Sequence, residues 1–299
     1  MNARAPCPAT APPGDGVAST VRAAIWQDGR LAPVDELLAE EVPVAMVYNG
    51  ISHAVMLASP QELEDFAVGF SLAERIVRSA ADIRDIEVAT TEHGITLAID
   101  IAPGAMARLK DNRRARTGKT GCGLCGIDSL AWFAREATLH DPRDGGIHGA
   151  ITPLAPQALQ RAMAALAARQ PLHHATGATH AAGWADRNGA LHLVREDVGR
   201  HNALDKLVGA LARSSVAAGD GFAVVTSRAS FEMVQKVARA GIPVLAAISA
   251  PTAMAVRLAT QAGVTLAGFV RGGRHVVYSH AQRLPHTPQN ACQTNPEQV

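Results

Sequence analysis

Three short apolar runs, Gly221 to Thr226, Ile242 to Ile248 and Val264 to Val270, are separated by helical stretches at about 230 to 240 and 252 to 262. This alternation constrains the chain more than any other feature. Short apolar strands that recur with a helix between them predict βαβ units and a parallel sheet. Apolar residues make up 47% of the chain and aromatic residues only 4%. The core must therefore be built mainly from Ala, Val, Leu and Ile, which suits helices packed on buried strands. Open sheets of this kind bind ligands beyond the carboxyl ends of their strands. Those ends fall at Thr226-Ser227-Arg228, Ser249-Ala250-Pro251-Thr252 and Arg271-Gly272-Gly273-Arg274.

The first half reads differently. Residues 42 to 48 and 51 to 57 are strand-like runs joined by Asn49-Gly50, a two-residue hairpin signal because both turn positions need positive φ. Ser59-Pro60-Gln61-Glu62 then supplies an N-cap, a proline at the first helical position and a capping-box acid. Leu63, Phe66, Ala67, Phe70, Ala73 and Val77 follow at helical spacing. A second hairpin is expected over Ile86 to Ile101, turning near His93-Gly94. Ile127 to Leu139 reads as a helix, as does the stretch after Pro156 marked by Leu159, Met163 and Leu166. Met106, Met163, Met233 and Met254 are expected core fillers.

The first twenty residues are rich in Ala and Pro and read as a disordered arm without a signal-peptide core. The resulting division is an arm over 1–20, an N-terminal α+β part over 21–116, an α/β domain over 117–284 and a loose tail over 285–299. No apolar run reaches the ~18 residues of a membrane span, so a cytoplasmic protein is expected, with no membrane association. A formal charge of +1 argues against a general nucleic-acid binder. Ser227 and Ser230 lack the G-x-S-x-G elbow of a serine hydrolase.

Two of the four cysteines stand in Gly121-Cys122-Gly123-Leu124-Cys125-Gly126. Upstream, residues 103 to 120 carry Arg108, Lys110, Arg113, Arg114, Arg116 and Lys119 against the single acid Asp111. This reads as a flexible basic segment whose charge favours thiolate, the reactive form. Three readings compete: half of a zinc site, a dithiol redox pair, or a nucleophile carrying a transferable group. Zinc wants four ligands, commonly from a second paired motif, and no second CxxC exists. His173, His174 and His180 could complete a site, but such histidines are more often hydrogen-bonded structural residues, so no metal is assigned. The redox pair is chemically sound, yet it lies mid-chain and not after the first strand of a βαβ unit, as in thioredoxin-like sites. A thiolate could equally accept sulfane sulfur, hold it and deliver it, with the second thiol assisting release.

Two further clusters stand out. Arg195 to Asn202, with Asp205 and Lys206, is either a helix start with Asp197 as cap and its charges paired internally, or a wall for a phosphorylated ligand. Phe269-Val270-Arg271-Gly272-Gly273-Arg274 ends the last apolar strand. Paired glycines let backbone N–H groups approach an anion, and arginine forks match phosphate oxygens. A plain hairpin turn would look similar, but the position at a strand's carboxyl end favours the ligand.

Five stretches together resemble one family: TGKTGCGLCG from Thr117, EDVGRHNALDK from Glu196, TSRASFEMVQK from Thr226, SAPTAMAV from Ser249 and TLAGFVRGGR from Thr265. They are similar to the formate dehydrogenase accessory proteins known as FdhD, sulfur carriers for the molybdenum cofactor, and the similarity spans about residue 40 to 284. The resemblance implies a cytidine-deaminase-like α/β core with a smaller N-terminal part, and a homodimer. It further implies that a cysteine desulfurase hands sulfur to the cysteine loop. The loop passes it to molybdenum bound by two pterin guanine dinucleotides, for delivery to formate dehydrogenase. Cys122 matches the persulfide carrier, Cys125 would assist, and Phe269, Val270, Arg271, Gly272, Gly273 and Arg274 match the cofactor-binding stretch, where a guanine nucleotide is expected to substitute. Thr176-Gly177-Ala178 departs from the family's TGG, which puts the turn before Thr179-His180 in question. A zinc nucleoside deaminase would need His-x-Glu and Pro-Cys-x-x-Cys. No His-x-Glu occurs, and Gly121 stands where the proline should be.

Overall fold

The structure is a computed structural model and describes residues 16–114, 147 and 153–285. The chain opens with an antiparallel ribbon of β1 (Ala18–Gln27) and β2 (Arg30–Ala39). The first strand thus begins inside the stretch read as an arm. Next come β3 (Val42–Tyr48) and β4 (Ile51–Ala58), then helix α1 (Leu63–Ala73), β5 (Ile83–Thr91), β6 (Gly94–Ile101) and helix α2 (Pro103–Arg114). Asn49 and Gly50 take φ of 46° and 77°, as a two-residue hairpin between right-twisted strands requires.

β4-β3-β6-β5 form a four-stranded sheet in which β3 and β6 run parallel. Its inner face carries Val44, Met46, Tyr48, Leu97, Ile99 and Ile101, packed against Phe66 and Phe70 of α1 and Met106 and Leu109 of α2. Alternate residues Val55, Leu57 and Val88 face outward. One buried face produces the period-2 pattern of these strands.

Two sequence expectations fail here. α1 starts at Leu63, and its N-cap is Glu62 in the left-handed region, φ 53°, with no side-chain cap bond. Ser59 is held elsewhere, as described below. The basic stretch from Pro103 is also not a loop as far as Arg114: it is α2, anchored because Ala105, Met106 and Leu109 lie on one face and are buried.

The second layer holds α3 (Pro156–Ala168), α4 (Pro171–Thr176), β7 (His180–Asp186), β8 (Leu191–Asp197), α5 (Arg200–Arg213), β9 (Gly221–Val225), α6 (Phe231–Arg239), β10 (Val244–Ala247), α7 (Ala253–Ala262), β11 (Thr265–Arg271) and β12 (Arg274–Ser279). The sheet order is β12-β11-β10-β9-β7-β8. β9, β10 and β11 are parallel, while β7 and β12 border them antiparallel. Leu204, Leu207, Val234, Val237 and Leu258 from α5, α6 and α7 cover one face. Leu159, Met163 and Leu166 of α3 cover the other, against Phe222, Val224 and Val244. The molecule is therefore a mixed α/β fold with parallel strands at its centre.

The layers meet where α1 crosses α5. A Cβ on Gly69 would overlap the carbonyl of Asp205, and one on Gly209 the carbonyl of Asp65, so the two glycines let the backbones touch. Around this contact Asp65 receives both Arg195 and Arg213, each at 2.7 Å.

Candidate functional site

Backbone bonds gather the carboxyl ends of the parallel strands. Ile248 N donates to Val225 O (3.0 Å), Thr252 N to Ala229 O (3.0 Å) and Phe269 N to Ser249 O (3.2 Å). Ala181 N donates to Thr226 Oγ1 at 2.8 Å, which brings the start of β7, and with it His180, to the same edge. The three loops expected to form a crevice are thus neighbours.

At its outer end stands the Gly272-Gly273 turn. Phe269 has φ 55° at a register shift between β11 and β12, a bulge that turns its side chain off the strand pattern. A Cβ on Gly268 beside it would sit tightly against Pro251, Ser249 and Tyr278, at 3.0 to 3.1 Å. Gly272 and Gly273 take φ of 58° and 74°, and Arg271 faces Arg274 across the turn. Val270 is fully buried and anchors it, whereas both arginines are exposed. Arg271 lies 6.0 Å over the Phe269 ring. The stretch is therefore a tight hairpin and also a paired-guanidinium tip. Like charges directly opposite on a hairpin are unfavourable, and an anion between the two forks would reverse that sign.

Where the starts of α5 and α6 meet, His201 Nε2 is 2.7 Å from Glu232 Oε2 and 3.4 Å from Ser230 Oγ. Burial works to raise the Glu232 carboxyl, but the hydrogen bond and charge of His201, with Lys236 and Arg200, hold it below the usual range. Burial and then Arg200 lower His180, favouring a neutral ring. Sequence reasoning missed this pairing, because His201 and Glu232 come from separate strings that the fold alone brings together.

The rest of the Arg195–Lys206 string is a junction. Asp197 accepts from Ser59 N (3.0 Å), Gly199 N (2.8 Å) and Asn202 Nδ2 (3.0 Å) and pairs with Lys206 (2.7 Å). Glu196 accepts from Leu172 N and His173 N, and from the Thr179 hydroxyl. Asp205 pairs with Lys236. Within this string only Asp197 and Lys206 pair with each other; Arg195, Glu196 and Asp205 are held by Asp65, by the Leu172–Thr179 segment and by Lys236, so the expected pairing across the first helical turns gives way to long-range structural contacts. Gly199, not Asp197, is the N-cap of α5.

His173 Nδ1 and His174 Nε2 lie on the Thr179 and Ala167 carbonyls at 2.9 and 2.8 Å. Gly177 alone takes positive φ before Thr179, so Ala178 fits without left-handed strain. Among the described residues no group of three or more His, Cys, Asp or Glu side chains is placed to hold a metal, and no helix is long and apolar enough to cross a membrane. Cys122, Cys125 and the helix expected over Ile127 to Leu139 lie outside the described residues.

The model of the FdhD/NarQ family matches residues 39–285. The chain belongs to the FdhD/NarQ family. Sulfur carrier protein FdhD of Cupriavidus necator is 56% identical over 269 residues, covering 90% of this chain and 90% of that one. Sulfur carrier protein FdhD of Bordetella bronchiseptica is 56% identical over 248 residues, 83% of this chain and 87% of that one. A crystal structure described as a formate dehydrogenase accessory protein from Desulfotalea psychrophila shares the fold. Its TM-score is 0.68 at 23% identity, covering 90% of this chain and 100% of that one. In this FdhD/NarQ member the match includes the cysteine loop, the Arg195–Lys206 junction and the Gly272-Gly273 turn.

Proposed function

We propose that this FdhD/NarQ protein carries sulfur to the molybdenum cofactor in the cytoplasm, working as a homodimer. The observation that carries the reading is the 56% identity, over nine-tenths of both chains, to a protein named for sulfur carriage. Cys122 is the nucleophile. Its thiolate attacks the outer sulfur of a persulfide on a cysteine desulfurase, leaving Cys122–S–SH and the donor's thiolate. Cys125 then attacks the inner sulfur, forming the Cys122–Cys125 disulfide and expelling HS⁻ toward the metal of the bis(pterin guanine dinucleotide) substrate. A reductant must reopen that disulfide before the next cycle.

In this account the six-stranded layer is the cytidine-deaminase-like core, and its crevice receives the substrate. Phe269 and the Arg271/Arg274 pair hold guanylate phosphates, since two forks on one glycine turn suit a diphosphate. Formate dehydrogenase accepts the finished cofactor. Complementation in cells lacking the endogenous homologue tests the assignment. Cys122→Ala is expected to abolish formate dehydrogenase activity, whereas full maturation by that variant would reduce the protein to a cofactor-binding chaperone.

A further inference from the structure

Arg274 opens β12, the outermost strand of the six-stranded sheet, which among the described strands pairs with β11 alone. The ladder between these two strands is broken next to the turn that joins them. Gly268 pairs with Val276 and Arg271 with Arg274, so Phe269 and Val270 together oppose the single residue His275. Two residues against one make a bulge, where an extra residue is left unpaired and the ladder is locally disrupted. The turn beyond this break therefore has little ladder of its own to fix it. A grip on phosphate through two guanidinium forks, however, needs its side chains held to within about 0.5 Å.

Support comes from helix α3, at the point of the break. Gln160 Nε2 lies 3.0 Å from Arg274 O and 3.2 Å from His275 Nδ1. A side-chain amide NH2 carries two hydrogens, one for each of these acceptors, which sets the His275 proton on Nε2. The helix is a firm base for such a bond. Leu159, next to Gln160, and Leu166 are fully buried, and Met163 is nearly so, all packed on the face of the sheet with Phe222 and Val224. Gln160 itself is half-buried at the margin of that contact. Its bond is to the main chain of Arg274, so it fixes the root of the side chain and leaves the guanidinium group exposed. Gln160 thus bridges α3 to the two residues that stand where the ladder fails.

We propose that Gln160 is the positioning residue of the Arg271/Arg274 pair, holding Arg274 across the bulge so that both forks meet one diphosphate. The inference rests on the reading of that turn as a guanylate site, and the experiment separates the two. Gln160→Met keeps the side-chain length and the helix preference and removes both donors. In the full chain its affinity for guanosine diphosphate, by equilibrium titration, is expected to fall about three- to tenfold. Added to Arg271→Ala/Arg274→Ala, the same substitution should change nothing further, because Gln160 acts only through the arginines. A residue that merely stabilised the fold would weaken both backgrounds alike. Hydrogen exchange over residues 271–276 of the ligand-free chain should also become faster in Gln160→Met. Unchanged exchange there, wild-type affinity in Gln160→Met, or an equal loss in both backgrounds would each overturn the positioning role and leave the turn as a phosphate site. Full affinity in Arg271→Ala/Arg274→Ala would instead refute the guanylate reading, and with it the grip that Gln160 is assigned to hold.

Discussion

Lys206 Nζ sits 2.7 Å from Asp197 Oδ2 with both side chains fully buried, and the same ammonium donates to Ser59 O at 3.0 Å. One ion pair thus ties the end of β4, the end of β8 and helix α5 together. Lys206→Met would leave Asp197 charged and enclosed, with only neutral donors. A loss of about 3–5 kcal/mol in denaturant-unfolding stability is expected. A change below about 1 kcal/mol would show that the junction does not depend on the pair.

Gly209 faces Asp65 O and Gly69 faces Asp205 O at the helix crossing, with no room for a methyl group and only backbone to yield. Gly209→Ala should push α1 and α5 apart and cost about 3 kcal/mol, read as a lowered Tm. The loss should be accompanied by weaker protection of α1 amides in hydrogen exchange. An unaltered Tm would contradict the close crossing.

Glu62 gives stability a pH dependence. Burial, against Arg195 and Lys206, pushes its carboxyl up from 4.5 to about 7. The folded chain therefore holds this proton more tightly than the unfolded one. The associated stabilisation is complete below the unfolded value and is lost as pH rises toward 7. Because the side chain is 33% exposed, its contribution is on the order of 2 kcal/mol. Glu62→Gln should flatten the stability profile between pH 4.5 and 7 and be the more stable protein at pH 8. An unchanged slope would refute this.

Arg271 and Arg274 face each other across two glycines with exposed side chains. Guanosine diphosphate should bind the wild type in a salt-sensitive manner, and Arg271→Ala/Arg274→Ala should weaken it about tenfold or more. Equal affinity in an equilibrium titration would remove the turn from the substrate site.

The legible parts of the fold are those where one physical constraint acts alone. β9, β10 and β11 could be read because residues covered on both faces must be apolar throughout, and Asn49-Gly50 because few pairs accept two positive φ values. The β1–β2 ribbon was missed because it leaves Val21, Ile25, Trp26 and Leu31 exposed and so shows no core-facing pattern. Ser59-Pro60-Gln61-Glu62 has the composition of a helix cap, but Ser59 is held by Asp197, Val198 and Lys206, contacts set by the distant β8–α5 segment. The charges of Pro103–Arg114 masked the buried side of a helix. At the candidate site, the carboxyl ends of the parallel strands could be placed from the sequence alone. The His201–Glu232 pair could not, because it exists only where separate elements meet.

Sulfur on Cys122 is the central claim, and intact-protein and peptide mass spectrometry after incubation with a cysteine desulfurase and cysteine tests it most directly. The account predicts a gain of about 32 Da, one sulfur atom, on the Cys122 peptide, removed by a thiol reductant and absent from Cys122→Ala. In Cys125→Ala, where no disulfide can expel the sulfur, the absence of any sulfur added to Cys122 would contradict it and indicate a thiol-disulfide oxidoreductase instead.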